Sequence, residues 1–325
     1  MLVINAEDQK SLIEMNEVIE YAANALKEFS ASRTVTPIRA VLPFFDSKNT
    51  ALVMPSVAEG LGTVGLKVVT VAPNNTKVGK KTINGLVMLL DFETGEPLAL
   101  LEGSYLTMVR TGALSGVATK YLARKDSTTL CVIGTGGQSE GLVEAVLAVR
   151  DIEKIIVTNR TEQKAVNFAE YIMEKYSKYV QVYTDPNEAV READIIVTAT
   201  NSSSPVFTES LKPGVHVNAI GSFKPTMQEL PSHIISLADK VVVESKEAAL
   251  EETGDLQIPI REGVFKEGGI YAELGQIVSG ELKGRENDKE ITVFKSVGLA
   301  VVDIVTAIYV YKKAIQNGVG NRIRL

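Results

Sequence analysis
The spacing of apolar residues changes character near Thr129. Before it, one helical stretch precedes a series of short β-rich runs. Apolar positions in 18–29 recur at helical spacing after a polar start at Asn16, which predicts an amphipathic helix. Residues 35–45 are rich in β-branched side chains, carry Pro37 and Pro43, and read as extended chain. Residues 50–55 and 61–71 read as strands, and 83–91 and 97–102 flank Glu93-Thr94-Gly95-Glu96, a turn sequence that predicts a hairpin. This part therefore reads as antiparallel sheet. Arg110 opens RTGALSGVATKYLAR, a helix of small residues. After Thr129, short apolar runs at 130–133, 154–158, 180–183, 195–199, 216–220 and 240–243 read as strands, with helices at 138–149, 187–193 and 245–252. That alternation predicts a doubly wound parallel sheet. A charged turn at 124–127 marks the boundary between the two parts, 294–298 reads as a loop, and 299–311 reads as an apolar helix that returns to the first part.

The chemistry of the second part centres on TLCVIGTGGQS, residues 129–139. Strand, glycine turn and helix in that order fit a nucleotide fingerprint. Gly134, Gly136 and Gly137 let the backbone approach a pyrophosphate, and the helix N-terminus offers it free N–H groups. Ser139 stands where a third glycine is usual, and its small side chain still permits close packing. The second strand ends in Asn159, Arg160 and Thr161, where an NAD site carries an acidic residue. An arginine and two small polar groups suit a 2′-phosphate, so NADPH is the expected cofactor, with NADH as the alternative. Thr198, Ala199 and Thr200 end one later strand and Ser222 follows another, so they are candidate walls of the cofactor crevice. In the first part three cations stand out: Arg39, Lys67 and Arg110. Lys67 interrupts an apolar strand whose neighbours Leu66 and Val68 belong to the opposite face, so its ammonium must reach water or an anion. His216, at a strand edge, and His233, in a loop before Ile234, lack partner clusters and read as structural or surface, and no metal set is expected.

At 325 residues, two domains are expected. A net charge of −6 gives no electrostatic reason to bind nucleic acid or an anionic membrane. The single cysteine, Cys131, rules out an internal disulfide and sits in a buried strand. No apolar run is long enough to span a bilayer and nothing at Met1 resembles a signal peptide, so a cytoplasmic location is expected.

Several stretches together resemble the ornithine cyclodeaminase/mu-crystallin family. They are Thr36-Pro37-Ile38-Arg39, Met54-Pro55, Gly65-Leu66-Lys67-Val68-Val69, Arg110-Thr111-Gly112-Ala113, Gly134-Thr135-Gly136-Gly137-Gln138, the run from Pro213 to Gly221, and Phe294-Lys295-Ser296-Val297-Gly298. The resemblance implies an α/β chain: a Rossmann-type doubly wound domain over 126–299, and an α+β substrate and dimerisation domain from 1–125 with 300–325. It implies a homodimer, a substrate carboxylate held by Arg39, Lys67 and Arg110, and cofactor contacts from Thr111, Gln138, Ser296 and Gly298. One departure is informative. Family cyclodeaminases carry a catalytic Asp two residues after the glycine matching Gly221, and here that position is Phe223, followed by Lys224 and Pro225, with no carboxylate before Glu229.

The resulting expectation is an NADPH-dependent reductase of cyclic ketimine carboxylates, such as 1-pyrroline-2-carboxylate giving proline. Arg39 and Arg110 clamp the carboxylate, Lys67 holds the substrate and supplies or relays the catalytic proton, and Phe223 walls the ring. The alternatives are an ornithine cyclodeaminase, an alanine dehydrogenase-like enzyme, and a non-catalytic NADPH-dependent ligand-binding protein.

Overall fold
The computed structural model describes residues 1–44 and 48–324. Phe45, the end of the extended segment expected from Val35, lies outside them. In chain order the strands are β1 (Leu2–Ile4), β2 (Thr34–Val35), β3 (Ala40–Pro43), β4 (Thr50–Ala58), β5 (Thr63–Val71), β6 (Ile83–Leu90), β7 (Pro97–Glu102), β8 (Thr129–Ile133), β9 (Lys154–Thr158), β10 (Tyr179–Val182), β11 (Ile195–Thr198), β12 (His216–Ala219), β13 (Lys240–Val243), β14 (Ile270–Glu273), β15 (Thr292–Lys295) and β16 (Asn321–Arg322). The helices are α1 (Ala6–Leu12), α2 (Met15–Ser30), α3 (Gly103–Leu122), α4 (Ser139–Val149), α5 (Glu162–Tyr176), α6 (Pro186–Glu192), α7 (Ser232–Leu237), α8 (Lys246–Glu252), α9 (Gly254–Arg261), α10 (Leu274–Val278) and α11 (Ala300–Asn317). They form two compact units, Met1–Arg110 with Leu299–Leu325, and Thr111–Gly298.

The first unit is built on a sheet of order β16-β1-β7-β6-β5-β4-β2, with β3 also paired to β4. Its pairs are antiparallel except β1 with β7. The predicted hairpin turn forms because the Asp91 carboxylate accepts the N–H groups of Glu93 and Thr94 at 3.1 and 2.8 Å. Cross-strand register aligns Met54, Lys67, Val87 and Leu101 on one face, and all four are buried. α11 packs on β4, β5 and β6 and against α2, which explains why it is apolar nearly all round. The other face is apolar too: Val53, Leu66, Val68 and Met88 are half-buried and Leu86 is 51% exposed. An antiparallel sheet with one wet face normally alternates apolar with polar.

The second unit is a parallel eight-stranded sheet of order β10-β9-β8-β11-β12-β15-β13-β14. Its core draws Cys131, Ile156, Ile196, Val217, Val241 and Val293 from six of these strands. Burial pushes the Cys131 thiol pKa up and leaves it inert. Three readings of the sequence are corrected here. Residues 292–295 are a strand in the middle of the sheet, so the expected loop begins only at Ser296; four residues ending in Lys295 give too short an apolar run to stand out. α3 starts at Gly103, not Arg110, because the Glu102 carboxylate caps it by accepting from Ser104 and Tyr105 N–H at 3.0 and 2.8 Å. His233 lies inside α7.

The division between the units falls within α3, ahead of the charged turn at 124–127. The C-terminal half of α3 is tied into the second unit by two arginines. Arg150 Nη2 donates to Thr119 O and Ala123 O at 2.8 and 2.9 Å, and Arg285 Nε donates to Leu122 O at 2.6 Å. Cations at a helix C-terminus satisfy its orphan carbonyls and its dipole.

Candidate active site
The second unit carries its candidate site beyond the carboxyl ends of its strands, where an open parallel sheet leaves a crevice. The chain turns at Gly134 with φ of +98°, and a Cβ there would stand 2.7 Å from the Ala199 carbonyl oxygen. Gly137 has open space where a side chain would be. α4 begins at Ser139 with Gln138 as its N-cap residue. The buried Ser139 hydroxyl donates to Gly134 O at 2.9 Å and braces the turn. Close helix packing is served instead by Gly112 of α3, where a Cβ would lie 2.2 Å from Gly141 O.

A cavity of about 540 Å³ opens on this turn. Gly134, Gly136, Ala199 and Thr200 line it, and so do Asn159, Arg160, Thr161 and Lys164 at the β9–α5 end. Asn159 Nδ2 donates to Thr161 O at 3.0 Å, which shapes that end. Two buried polar atoms of the glycine turn, Thr135 Oγ1 and Gln138 Oε1, have no hydrogen-bond partner among the described residues. An open glycine turn at a helix N-terminus, orphaned polar atoms beside it and two cations on the cavity wall fit a dinucleotide. Lys164 escaped the sequence analysis, although its place one turn beyond Arg160 was the available signal.

Thr198, Ser222, Ser296 and Gly298 are not among the lining residues of that cavity, and two buried glutamates account for their geometry. Glu229 Oε2 accepts from Thr198 Oγ1, Gly221 N and Ser222 N at 2.9, 2.6 and 3.2 Å, while Oε1 accepts from Thr200 N at 2.6 Å. Burial raises its pKa, and the positive charge of Lys295 opposes that. Lys295 pairs at 3.1 Å with Asp255, and both are fully buried. The Ser222 hydroxyl donates to Met227 O at 2.7 Å. Glu244 Oε1 likewise accepts from Ser296 Oγ, Val297 N and Gly298 N at 3.0, 2.6 and 2.6 Å, and Gly298 has φ of +91°. The strand-end loops are thus pinned by carboxylates that the sequence analysis gave no such role. His216 is fully buried and its Nδ1 lies 2.9 Å from Thr292 Oγ1. Burial and the Arg285 charge push its pKa down to about 3, so it is neutral.

The three cations fall in the first unit. Lys67 Nζ sits 2.8 Å from Asp303 Oδ1, and Arg110 Nε sits 3.0 Å from the same oxygen. Lys67 is 2% exposed and Asp303 is fully buried. Arg39 is half-buried and near enough for its charge to act on Lys67. Burial is the main cause that lowers the Lys67 pKa to about 8; Arg110 and Arg39 push the same way and Asp303 pushes back. Thr111 follows Arg110 in α3 and is buried. Asp303 is the anion that the strand position of Lys67 required. It was legible as the one charge in the apolar run 299–310.

The sequence profile of the ornithine cyclodeaminase/mu-crystallin family matches residues 1–318. A delta(1)-pyrroline-2-carboxylate reductase of Bacillus cereus is 70% identical over 323 residues, 99% of each chain. The structure of the Thermococcus litoralis delta(1)-pyrroline-2-carboxylate reductase in complex with NADH and L-proline matches with a TM-score of 0.94 at 41% identity, covering 99% of this chain and 100% of that one. An archaeal alanine dehydrogenase dimer with bound NAD matches with a TM-score of 0.92 at 35% identity, covering 100% and 99%. The chain belongs to the ornithine cyclodeaminase/mu-crystallin family.

Proposed function
We propose that this chain is an NAD(P)H-dependent reductase that converts 1-pyrroline-2-carboxylate to L-proline. The observation that carries the reading is 70% identity, over 99% of both chains, to the Bacillus cereus enzyme of that name. The residues of the site supply chemistry that suits it. Arg39 and Arg110 bind the substrate carboxylate, where a guanidinium fork offers paired donors. Lys67, with a pKa of about 8, is charged at neutral pH yet gives up its proton readily. It donates that proton to the ring nitrogen as the C=N bond opens, and takes another from solvent afterwards. A bound nicotinamide supplies the hydride to the ring carbon.

Ornithine cyclodeamination needs a further carboxylate near the reacting amines. Phe223 occupies the family position for it, 36% exposed, with Lys224 Nζ 5.8 Å from its ring centre. Glu229, the next carboxylate in sequence, is engaged by four donors. Both observations favour imine reduction. Arg160, Thr161 and Lys164 favour NADPH over NADH. We assign substrate binding to the first unit and nucleotide binding to the second, with contacts from Thr111, Gln138, Ser296 and Gly298 as well as the cavity residues.

The half-buried apolar sheet face of the first unit supports a homodimer, the state in which the archaeal alanine dehydrogenase was solved. Among the described residues no helix is long and apolar enough to cross a membrane, and a cytoplasmic location, with its supply of reduced cofactor, suits the reading.

The test is NADPH oxidation by purified protein with 1-pyrroline-2-carboxylate, its six-membered homologue, and pyruvate plus ammonia. Ornithine with NAD is run alongside. The five-membered imine should give the highest kcat/KM. Faster turnover of pyruvate plus ammonia, or proline formation from ornithine at about 1 s⁻¹ or more, overturns the reading.

A further inference from the structure
Asp303 is held in an unusual way for a buried carboxylate. One of its oxygens, Oδ1, faces both Lys67 Nζ at 2.8 Å and Arg110 Nε at 3.0 Å, while Oδ2 has no hydrogen-bond partner among the described residues. The three groups come from separate elements, β5, α3 and α11. The charged groups that face Lys67 are Asp303, Arg110 and Arg39, and its cross-strand neighbours Met54 and Val87 are apolar. Two buried cations side by side repel each other and pay for desolvation separately, so neither position holds unless an anion sits between them.

We propose that Asp303 is a positioning residue that keeps Lys67 charged and aimed while seating Arg110 on the same oxygen, so that one buried carboxylate arranges two of the three substrate-binding cations. The inference rests on the reading of Lys67 as proton donor to a ketimine carboxylate. Without Asp303, burial and the two arginines would act on Lys67 unopposed, and it would surrender its proton at a lower pH. The ammonium would then be scarce at the pH where the carboxylate still binds. A carboxylate that merely filled space would leave the titration of Lys67 where it is.

The experiment titrates Lys67 directly, by the 13Cε resonance of labelled lysine, assigned through its loss in Lys67→Met. In Asp303→Asn the midpoint should fall by about 1–3 units, and the alkaline limb of kcat/KM for 1-pyrroline-2-carboxylate should move with it. Asp303→Glu should restore most of the shift. NADPH affinity should stay within about twofold in both, because the nucleotide cavity draws on the other unit. Equal midpoints in wild type and Asp303→Asn, or no rescue by Asp303→Glu, would overturn the proposal. Should Asp303→Asn fail to bind NADPH and so to fold, Arg110→Gln tests the same cluster: with the rival cation gone, the Lys67 midpoint must rise, and a midpoint that stays put refutes the arrangement. If the midpoints move as expected but wild-type protein reduces no ketimine, the functional reading fails and the Asp303 assignment stands.

Discussion

Replacing Glu229 with Gln probes how the cofactor loops are held. The change keeps size and shape and removes one acceptor. All four groups facing the carboxylate are donors: Thr198 Oγ1, Thr200 N, Gly221 N and Ser222 N. An ionised carboxylate satisfies all of them, whereas a carboxamide must turn its NH2 toward some. The less costly orientation directs the NH2 at Thr200 N, loses one bond of 2.6 Å and sets two donors against each other. An unsatisfied buried donor costs about 1–3 kcal/mol, more where the lost acceptor was charged. We therefore expect Glu229→Gln to lose about 2–3 kcal/mol of stability in urea unfolding, with m unchanged. Ala199 and Thr200 line the nucleotide cavity, so the strain should also reach the cofactor. NADPH affinity should drop about tenfold, equivalent to about 1.4 kcal/mol. Fluorescence titration of NADPH measures the second effect independently of turnover. A variant as stable as wild type with unchanged NADPH affinity would refute the reasoning. It would mean that burial raises the Glu229 pKa far enough for the side chain to be neutral in the fold, since a protonated carboxyl is mimicked well by an amide.

Three further outcomes follow from the same geometry. Arg160→Ala should weaken NADPH binding about tenfold or more and leave NADH nearly untouched, since a charge-assisted bond is worth about 1.5–3 kcal/mol; equal losses for both cofactors would remove Arg160 from a 2′-phosphate seat. Arg110→Leu should cost about 2–5 kcal/mol in transition-state binding of carboxylated imines, read from kcat/KM, with NADPH affinity intact; unchanged kcat/KM would exclude it from the clamp. His216 titrates near 6.5 in the unfolded chain but only near 3 in the fold, so its contribution to stability is complete above pH 6.5 and is lost as pH falls toward 3, about 2 kcal/mol by pH 5. His216→Asn should therefore flatten the fall in urea-unfolding stability between pH 7 and pH 5; parallel curves for the two proteins would contradict this.

Many of the second unit's strands were legible because they are short apolar runs, and α4, α6 and α8 were read at their places, whereas α5, α7, α9 and α10 were not. Lys154–Thr158 and Lys240–Val243 have the limits expected of them. β15 escaped because it is short and ends in Lys295, whose charge is met by Asp255, a partner distant in sequence, with Glu229 close enough to interact with it as well. Local pattern cannot see such a pairing. α3 was placed too late for a similar reason. The small residues after Arg110 mark a close-packed helix, but its true start is set by a cap, Glu102, that ends the preceding strand. The charged turn at 124–127 looked like a linker, whereas the arginines that bind α3 to the second unit lie far along the chain at Arg150 and Arg285.

The same distinction governs the site. Gly134 declares itself locally, because a strand followed at once by a left-handed turn into a helix has few other uses. Arg39, Lys67 and Arg110 stood out as cations in poorly charged surroundings, yet Lys67 and Arg110 meet on Asp303 at the other end of the chain. A lysine in an apolar strand and an aspartate in an apolar helix are each costly alone, and the cost of each is met by the other. Two isolated opposite charges in segments that must both be buried therefore predict a contact, even where nothing in the intervening sequence connects them. Arg110 sharpens that inference. An ammonium and a guanidinium on one carboxylate oxygen leave net positive charge in a buried place, which favours a further anion there. In the proposed function a substrate carboxylate supplies that anion and a neutral ligand would not, while the ring size and the imine follow from the likeness to pyrroline-2-carboxylate reductases.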